Sequence, residues 1–271
     1  SRFTKTHLLA QTFNFGDEMP RKADLVYVGS LIHWVWCLTA NFEGDFERIL
    51  RYLFEYTNKI LVVEFVEPED GAIKEFGHTK RCSEGTKLKE SYTTDNFRAA
   101  IISSGGQILS ASWFEANRVE YVIRVPSNKT ISEAVSASAS ASASASSNLV
   151  EAATATATGI GGEKEGDFVK YMNPDRKSSG SQRETPTVRI DSRGNAIVGG
   201  YHGFSVSPVG ELTVTKKRAK YDKVKAMLKK LRADHGCHSF MDVGANTGVV
   251  SFLARSEGFD PITALDHDRP A

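Results

Sequence analysis

The feature that most limits how this chain can fold lies near its middle, where residues 136–147 alternate Ser and Ala almost strictly. Ala/Thr alternation, a glycine-rich turn and a polar stretch follow. Residues 128–186 therefore hold too few large apolar side chains to offset the entropy of ordering. We expect this segment to be a flexible linker. A folded domain must then be built from the flanking parts, residues 1–127 and 187–271.

Charge and composition narrow the function classes. The 271 residues include 34 Lys and Arg against 33 Asp and Glu, so no global field recruits nucleic acid or anionic lipid. No apolar run approaches the roughly 20 residues that span a bilayer, so we expect no membrane partner. Residues 1–15 lack a secretory signal pattern. Three cysteines without metal-ligand spacing predict no metal site and a reducing, cytoplasmic setting.

The early part of the chain alternates strand and helix signals. The predicted elements are strands at 6–13, 24–29 and 59–66 and helices at 45–56 and 95–103. This alternation predicts an α/β architecture with a parallel sheet and helices on its faces. Two further strands, 107–112 and 119–125, are joined by too short a connection for a parallel crossover, so they should form an antiparallel hairpin at the sheet edge.

The part after the linker has three predicted pieces. Residues 187–198 have the turn chemistry of a small hairpin. Residues 216–233 form an amphipathic helix rich in Lys and Arg. The last piece is a βαβ unit, with a strand at 239–243, a helix at about 247–256 and a strand at 262–265.

The turn inside this βαβ unit carries the most specific motif of the chain. Its residues are Asp242, Gly244, Ala245, Asn246 and Gly248, and Asp266 ends the next strand. Glycines let the backbone approach a ligand at the carboxyl end of a strand, and an acid about 20 residues further on can accept hydrogen bonds from both ribose hydroxyls. The pattern predicts an adenosine-binding site.

These residues resemble motif I of the class I S-adenosylmethionine-dependent methyltransferases. The glycines stand four residues apart rather than in G-x-G-x-x-G, and this cofactor has no pyrophosphate, so an NAD site is disfavoured. The resemblance implies that Phe15 covers the adenine ring and that Asp17 accepts from its amino group. The alternative is a tight βα turn in another doubly wound protein, with Phe15 and Asp17 in an ordinary loop.

The resemblance also places the transferable methyl group near the loop that follows strand 24–29, where His33 lies. Methyl transfer to a hydroxyl requires an aligned nucleophile and removal of its proton, a task that suits imidazole near neutral pH. His33 is therefore the candidate catalytic base, and Trp34, Glu64 and Tyr201 are candidates for substrate binding. A packed, structural His33 beside Trp34 is the alternative.

The order of elements along the chain differs from that of the family, in which motif I comes first. Here motif I follows the edge hairpin. The resemblance implies a Rossmann-like sheet in the order 3-2-1-4-5-7-6 with strand seven antiparallel, and the changed order of elements then predicts a circularly permuted chain whose two parts are joined by 128–186. A window cut out of phase from tandem methyltransferase domains is the alternative.

The expected function is methyl transfer from S-adenosyl-L-methionine to an O or N nucleophile of a small-molecule acceptor. The basic helix at 216–233 leaves an RNA methyltransferase as an alternative, although a solvated helix face explains the same residues more simply. A third reading is a module that binds S-adenosylmethionine without catalysis.

Overall fold

The strands form two sheets in the computed structural model, which describes residues 8–12, 18–38, 42, 44–71, 73, 91–126, 188–198, 203–208 and 211–266. The strands are β1 (Leu8–Thr12), β2 (Ala23–Val28), β3 (Thr57–Val66), β4 (Gln107–Glu115), β5 (Arg118–Arg124), β6 (Val188–Ile190), β7 (Ala196–Val198), β8 (Phe204–Val206), β9 (Leu212–Val214), β10 (Phe240–Val243) and β11 (Ile262–Asp266). The linker predicted at 128–186 lies outside the described residues, as do Phe15, Asp17 and Tyr201.

The larger sheet has seven strands in the order β1-β11-β10-β2-β3-β5-β4. Its first five strands are parallel, whereas β5 runs antiparallel to both β3 and β4. The edge hairpin predicted from the short β4–β5 connection is therefore confirmed. The protein is an α/β protein with a mixed sheet, compatible with a Rossmann-like fold.

Strands from the two ends of the chain meet at the centre of this sheet. Leu25 of β2 pairs with Phe240 of β10, and the Asp24 N–H donates to Ser239 Oγ at 2.7 Å. The strands predicted at 24–29 and 239–243 are therefore neighbours in one sheet. Ser1–Pro126 and Arg183–Ala271 accordingly form one compact unit, while Ser127–Gln182 is a separate unit outside the described residues.

The described helices are α1 (Ile32–Leu38), α2 (Phe46–Glu55), α3 (Thr94–Ser103), α4 (Arg218–His235) and α5 (Val249–Ser256). Local signals set their ends: Asp45 Oδ1 accepts from the Glu47 N–H at 2.8 Å, and Gly236 ends α4 at a φ of +58°. The predictions for α2 to α5 are confirmed, but reading α1 as a loop was wrong. None of the helices in the described residues is both long enough and apolar enough to cross a membrane.

Both faces of the large sheet are covered, which explains the nearly unbroken apolar run of β3. On one face, alternate residues such as Val26 and Leu61 pack in the cluster with α1, α2 and α3. On the other face, Leu25, Tyr27 and Val62 pack with α4 and α5. Glu64 in β3 and Glu120 in β5 are therefore buried between the sheet and its covering helices.

The smaller sheet is antiparallel, with the order β6-β7-β8-β9. Its first hairpin was predicted, and Asp191 stabilises the turn by accepting from the Arg193 and Asn195 N–H groups at 2.8 and 2.9 Å. The remaining strands, β8 and β9, were not predicted. The buried ring of Phe204 attaches this sheet to α5, with its centroid 5.5 Å from that of Phe252.

Candidate functional site

The turn between β10 and α5 is fixed to the carboxyl end of the neighbouring strand β11. The Gly244 and Ala245 N–H groups both donate to the Leu265 carbonyl, at 2.8 and 3.0 Å. The Gly248 N–H then closes the turn on the Ala245 carbonyl at 2.8 Å. The motif residues are thus held as one rigid piece of backbone at the sheet edge where doubly wound proteins bind ligands.

The two glycines of this turn have different surroundings. Gly244 has a φ of +78°, and a Cβ atom added there would lie 2.9 Å from Leu31 Cδ2. Gly248 has a φ of +75°, but a Cβ atom there would meet nothing within 4 Å. Gly244 therefore permits close packing against the residues after β2, whereas Gly248 borders open space beside the exposed Asn246.

The side chain of Asp242 forms hydrogen bonds with the first turn of α5. This side chain is buried, and Oδ2 accepts from the Ser251 N–H at 3.1 Å and from Ser251 Oγ at 2.8 Å. Burial raises the pKa of Asp242 to about 7 against the lowering effect of these hydrogen bonds, and the charge of Asp266 raises it further. Asp242 therefore shapes the turn by capping α5.

Asp266 ends β11 at the same edge of the sheet. It pairs in register with Thr12 of β1 and is partly exposed. Its position at the end of the strand next to the glycine turn is the one predicted for a ribose acceptor. Phe15 and Asp17 come shortly after β1 in the sequence but lie outside the described residues, so their predicted contacts stay predictions.

His33 is the second residue of α1, directly beyond the carboxyl end of β2. Only 4% of its surface is exposed, and its ring centroid lies 5.3 Å from that of Trp34. Trp36, on the same helix, packs in the core with ring centroids 5.8 Å from Phe46 and 5.1 Å from Tyr92. The structure thus places His33 at the predicted edge and buries it there.

Glu64 lies at the centre of a buried polar network on the α4 face of the sheet. Its carboxylate accepts from Ser30 Oγ at 2.6 Å, from Arg118 at 3.2 Å and from Lys220 Nζ at 3.0 Å. Burial alone would raise the pKa of Glu64, but these partners, led by Lys220, hold it below its usual value. With 1% exposure and these partners, Glu64 holds elements together, and its predicted role in substrate binding stays a prediction.

Glu120 pairs directly with Glu64 across β5 and β3. It is 6% exposed, and its Oε2 has no hydrogen-bond partner among the described residues. Burial and the neighbouring Glu64 charge raise the pKa of Glu120 to about 7, against the lowering charges of Lys220 and Lys223. The network therefore contains one carboxyl group that can hold a proton near neutral pH.

Sequence reasoning missed Arg118, Glu120 and Lys220 as members of one cluster. A signal was present, because Glu64 and Glu120 each interrupt a buried apolar strand and such charges are rarely left unpaired. Their partners come from elements far apart in the chain, so the pairing itself could not be read from the sequence. No group of three or more His, Cys, Asp or Glu residues suited to a metal ion occurs in the part of the chain that the structure describes.

Comparison with known proteins yields no relative: no family model, curated protein or solved structure matches the chain. The functional argument therefore rests on the residues and geometry of the chain itself.

Proposed function

We propose that the protein is a class I-type methyltransferase that transfers a methyl group from S-adenosyl-L-methionine to an O or N nucleophile of a small-molecule acceptor. The observation that carries this proposal is the glycine turn between β10 and α5, with Asp266 at the end of the adjacent parallel strand. This arrangement suits an adenosine. The glycine turn lets the backbone come close to the nucleoside, and the acid can accept hydrogen bonds from the ribose hydroxyls.

The strand order supports a circularly permuted version of this fold. If β10 is counted as the first strand of the family, the observed order β1-β11-β10-β2-β3-β5-β4 reads 3-2-1-4-5-7-6. The antiparallel β5 then takes the place of the seventh strand. Because both parts of the chain share one sheet, the permutation is favoured over a window from tandem domains.

The residues at the turn are compatible with the cofactor. Gly248 faces open space, and the buried Thr247 Oγ1 has no hydrogen-bond partner among the described residues. A hydroxyl in that state is available to a ligand. Asp266 would accept from the ribose, and the turn backbone would line the nucleoside.

When bound, the cofactor supplies an electrophilic methyl group. The chain must then align the acceptor, exclude water and take up the acceptor's proton. In this proposal His33 accepts the proton at its imidazole, and the packing of His33 and Trp34 at the edge of the sheet limits water there. The Ser30 to Leu31 segment lies close to the turn, because the Leu31 side chain occupies the space that a Cβ atom at Gly244 would need.

Titration calorimetry of the full chain with S-adenosylmethionine and S-adenosylhomocysteine tests the proposal. Both ligands should bind, and Asp266→Asn should weaken binding by about 1 to 3 kcal/mol, the usual effect of losing a hydrogen bond to a charged group. Asp234→Asn, which removes an exposed carboxylate of α4, is the matched control and should bind normally. Absence of binding for both ligands would contradict the cofactor assignment.

Turnover distinguishes an enzyme from a non-catalytic binding module. Formation of S-adenosylhomocysteine during an acceptor screen should be slowed roughly a hundredfold by His33→Ala, with cofactor affinity nearly unchanged, as expected for loss of a general base. Equal losses of stability and turnover would instead indicate a packing role for His33.

A further inference from the structure

The segment around α4 concentrates positive charge. Between Lys216 and Arg232 there are nine Lys and Arg residues and one acid, Asp222, which gives a net charge of +8. Since the whole chain carries +1, the remaining residues together carry −7. Such asymmetry in a nearly neutral protein creates a strong local field that attracts anions.

The packing of α4 leaves one of its faces outward. Tyr221, Val224, Leu228 and Leu231 are buried against the rest of the unit. The outward face has Ala219, Ala226 and Ala233, all exposed and spaced seven residues apart. Because seven residues make about two helical turns, the three alanines form a narrow line along the helix.

Exposed cations flank this line on both sides. At about 100° per residue, one row lies on each side of the alanines. The first row has Lys223 and Lys230 together with the acid Asp234, and the second has Arg218, Lys225, Lys229 and Arg232 beside the acid Asp222, so cations outnumber acids by six to two on this face.

Most of these cations have no anionic partner. Arg218 and Lys225 form ion pairs at 3.8 and 3.6 Å, whereas within the described part of the chain no ion pair involves Lys223, Lys229, Lys230 or Arg232. Four charges on two rows are thus available to an external anion.

We propose that this face of α4 docks in the major groove of double-stranded DNA and contacts its phosphates without reading sequence. The B-form groove is about 12 Å wide and admits an α-helix. The line of alanines lets the helix approach the groove floor, and the two rows of cations lie on the sides that face the phosphate walls. Alanine offers no hydrogen bond to base edges, so the contacts are independent of sequence.

Two other nucleic acids fit this face less well. The major groove of duplex RNA is too deep and narrow for side chains to read. Single strands are held by stacking on aromatic side chains, and the exposed residues of α4 include none. The DNA-binding face does not depend on the proposed methyl transfer, so either can fail without the other.

The test is fluorescence anisotropy of the full chain with a labelled DNA duplex of mixed sequence. Four phosphate contacts predict that the logarithm of the binding constant falls with log salt at a slope of about −3.6 between roughly 50 and 200 mM. The fourfold variant Lys223→Gln, Lys229→Gln, Lys230→Gln, Arg232→Gln should lose most of this slope and weaken binding at low salt at least tenfold. A control that removes four exposed charges elsewhere should bind normally: Lys22→Gln, Arg98→Gln, Arg124→Gln, Arg189→Gln.

A second variant tests the groove itself. Ala226→Phe adds bulk on the outward line without changing charge, so it should weaken duplex DNA binding severalfold, with thermal unfolding confirming that the variant folds. The same titrations are run with duplex RNA and with phosphatidylserine vesicles. Equal or tighter binding to either, unchanged DNA binding by Ala226→Phe or by the fourfold variant, or no DNA binding at low salt would overturn the proposal.

Discussion

Glu64 and Glu120 occupy opposite positions on β3 and β5 but have different partners. Glu64 is surrounded by Ser30, Arg118 and Lys220, whereas Glu120 Oε2 is buried without a hydrogen-bond partner among the described residues. Burial is the largest influence on the pKa of Glu120 and raises it, as does the Glu64 charge, whereas the charges of Lys220 and Lys223 on α4 lower it. Glu64 therefore stays ionised, whereas Glu120 can gain or lose a proton near neutral pH.

The pKa of about 7 for Glu120 makes folding stability depend on pH. Between 4.5, the ordinary pKa of a glutamate, and about 7 the folded state keeps a proton that the unfolded state has lost, so the free energy of unfolding should fall as pH rises through this range. Asp242, whose pKa is also raised, adds a slope of the same sign. Glu120→Gln should remove the part of this change in the free energy of unfolding that comes from Glu120, which is on the order of 3 kcal/mol.

Urea denaturation at a series of pH values measures this slope. Glu55→Gln, which replaces an exposed carboxyl group on α2, should leave the slope as in the parent protein. A Glu120→Gln profile that runs parallel to the parent profile would show that Glu120 is ionised in the folded state.

At the scale of elements, the Glu64 network joins α4 to the large sheet. Lys220 reaches Glu64 at 3.0 Å and also lies 4.8 Å from the centroid of the Phe114 ring. Because both ends of this ion pair are buried, removing one partner leaves an uncompensated charge in the interior. The contact therefore contributes more to the position of α4 than an exposed ion pair of similar length.

A double-mutant cycle tests this difference. Glu64→Gln and Lys220→Met should each destabilise the protein by about 3 to 5 kcal/mol, and the double variant by clearly less than their sum. The exposed pair Glu47 and Arg51 of α2 is the control, since its 2.6 Å contact is shorter but should give a coupling of only about 0.3 to 0.5 kcal/mol. Similar coupling energies for both pairs would show that burial does not strengthen the Glu64 contact.

Elements with long, regular patterns could be predicted from the sequence, and those that depend on tertiary contacts could not. The apolar run of β3 and the amphipathic repeat of α4 identified both elements correctly. The helix α1 was missed because its seven residues give too short a pattern, and aromatic residues such as Trp34 and Trp36 also favour strands or loops. The partner of Glu64, Lys220, follows 156 positions later, beyond any local signal.

At the scale of the whole molecule, neither part of the chain completes the large sheet. The early part supplies β1 to β5 and the late part supplies β10 and β11, which lie between β1 and β2. Alternation of strand and helix signals predicted the α/β class, and the short connection between β4 and β5 predicted the edge hairpin. The alternation of strands and helices along the chain does not say which strands are neighbours in the sheet. The strand order was therefore expected only from the resemblance to class I methyltransferases.

Co-expression of residues 1–127 with residues 187–271 tests this interdependence. We expect the two fragments to associate and to regain a cooperative thermal transition, because β2 and β10 pair over Leu25↔Phe240 to Val28↔Val243. Each fragment alone should lack such a transition, since half of the buried sheet would be exposed. Cooperative unfolding of either fragment by itself would show that the sheet is not the unit of folding.

The insertion of β10 and β11 between β1 and β2 also determines when the large sheet can form during synthesis on the ribosome. Asp24 and its partner Ser239 are 215 positions apart, so at a synthesis rate of about 5 to 20 residues per second the nascent β2 waits roughly 10 to 40 s for its neighbour. During that interval β1 has no strand to pair with and one edge of β2 is open to other polypeptides. The open edge of β2 is therefore covered only when β10 has been synthesised, and β1 joins the sheet only through β11.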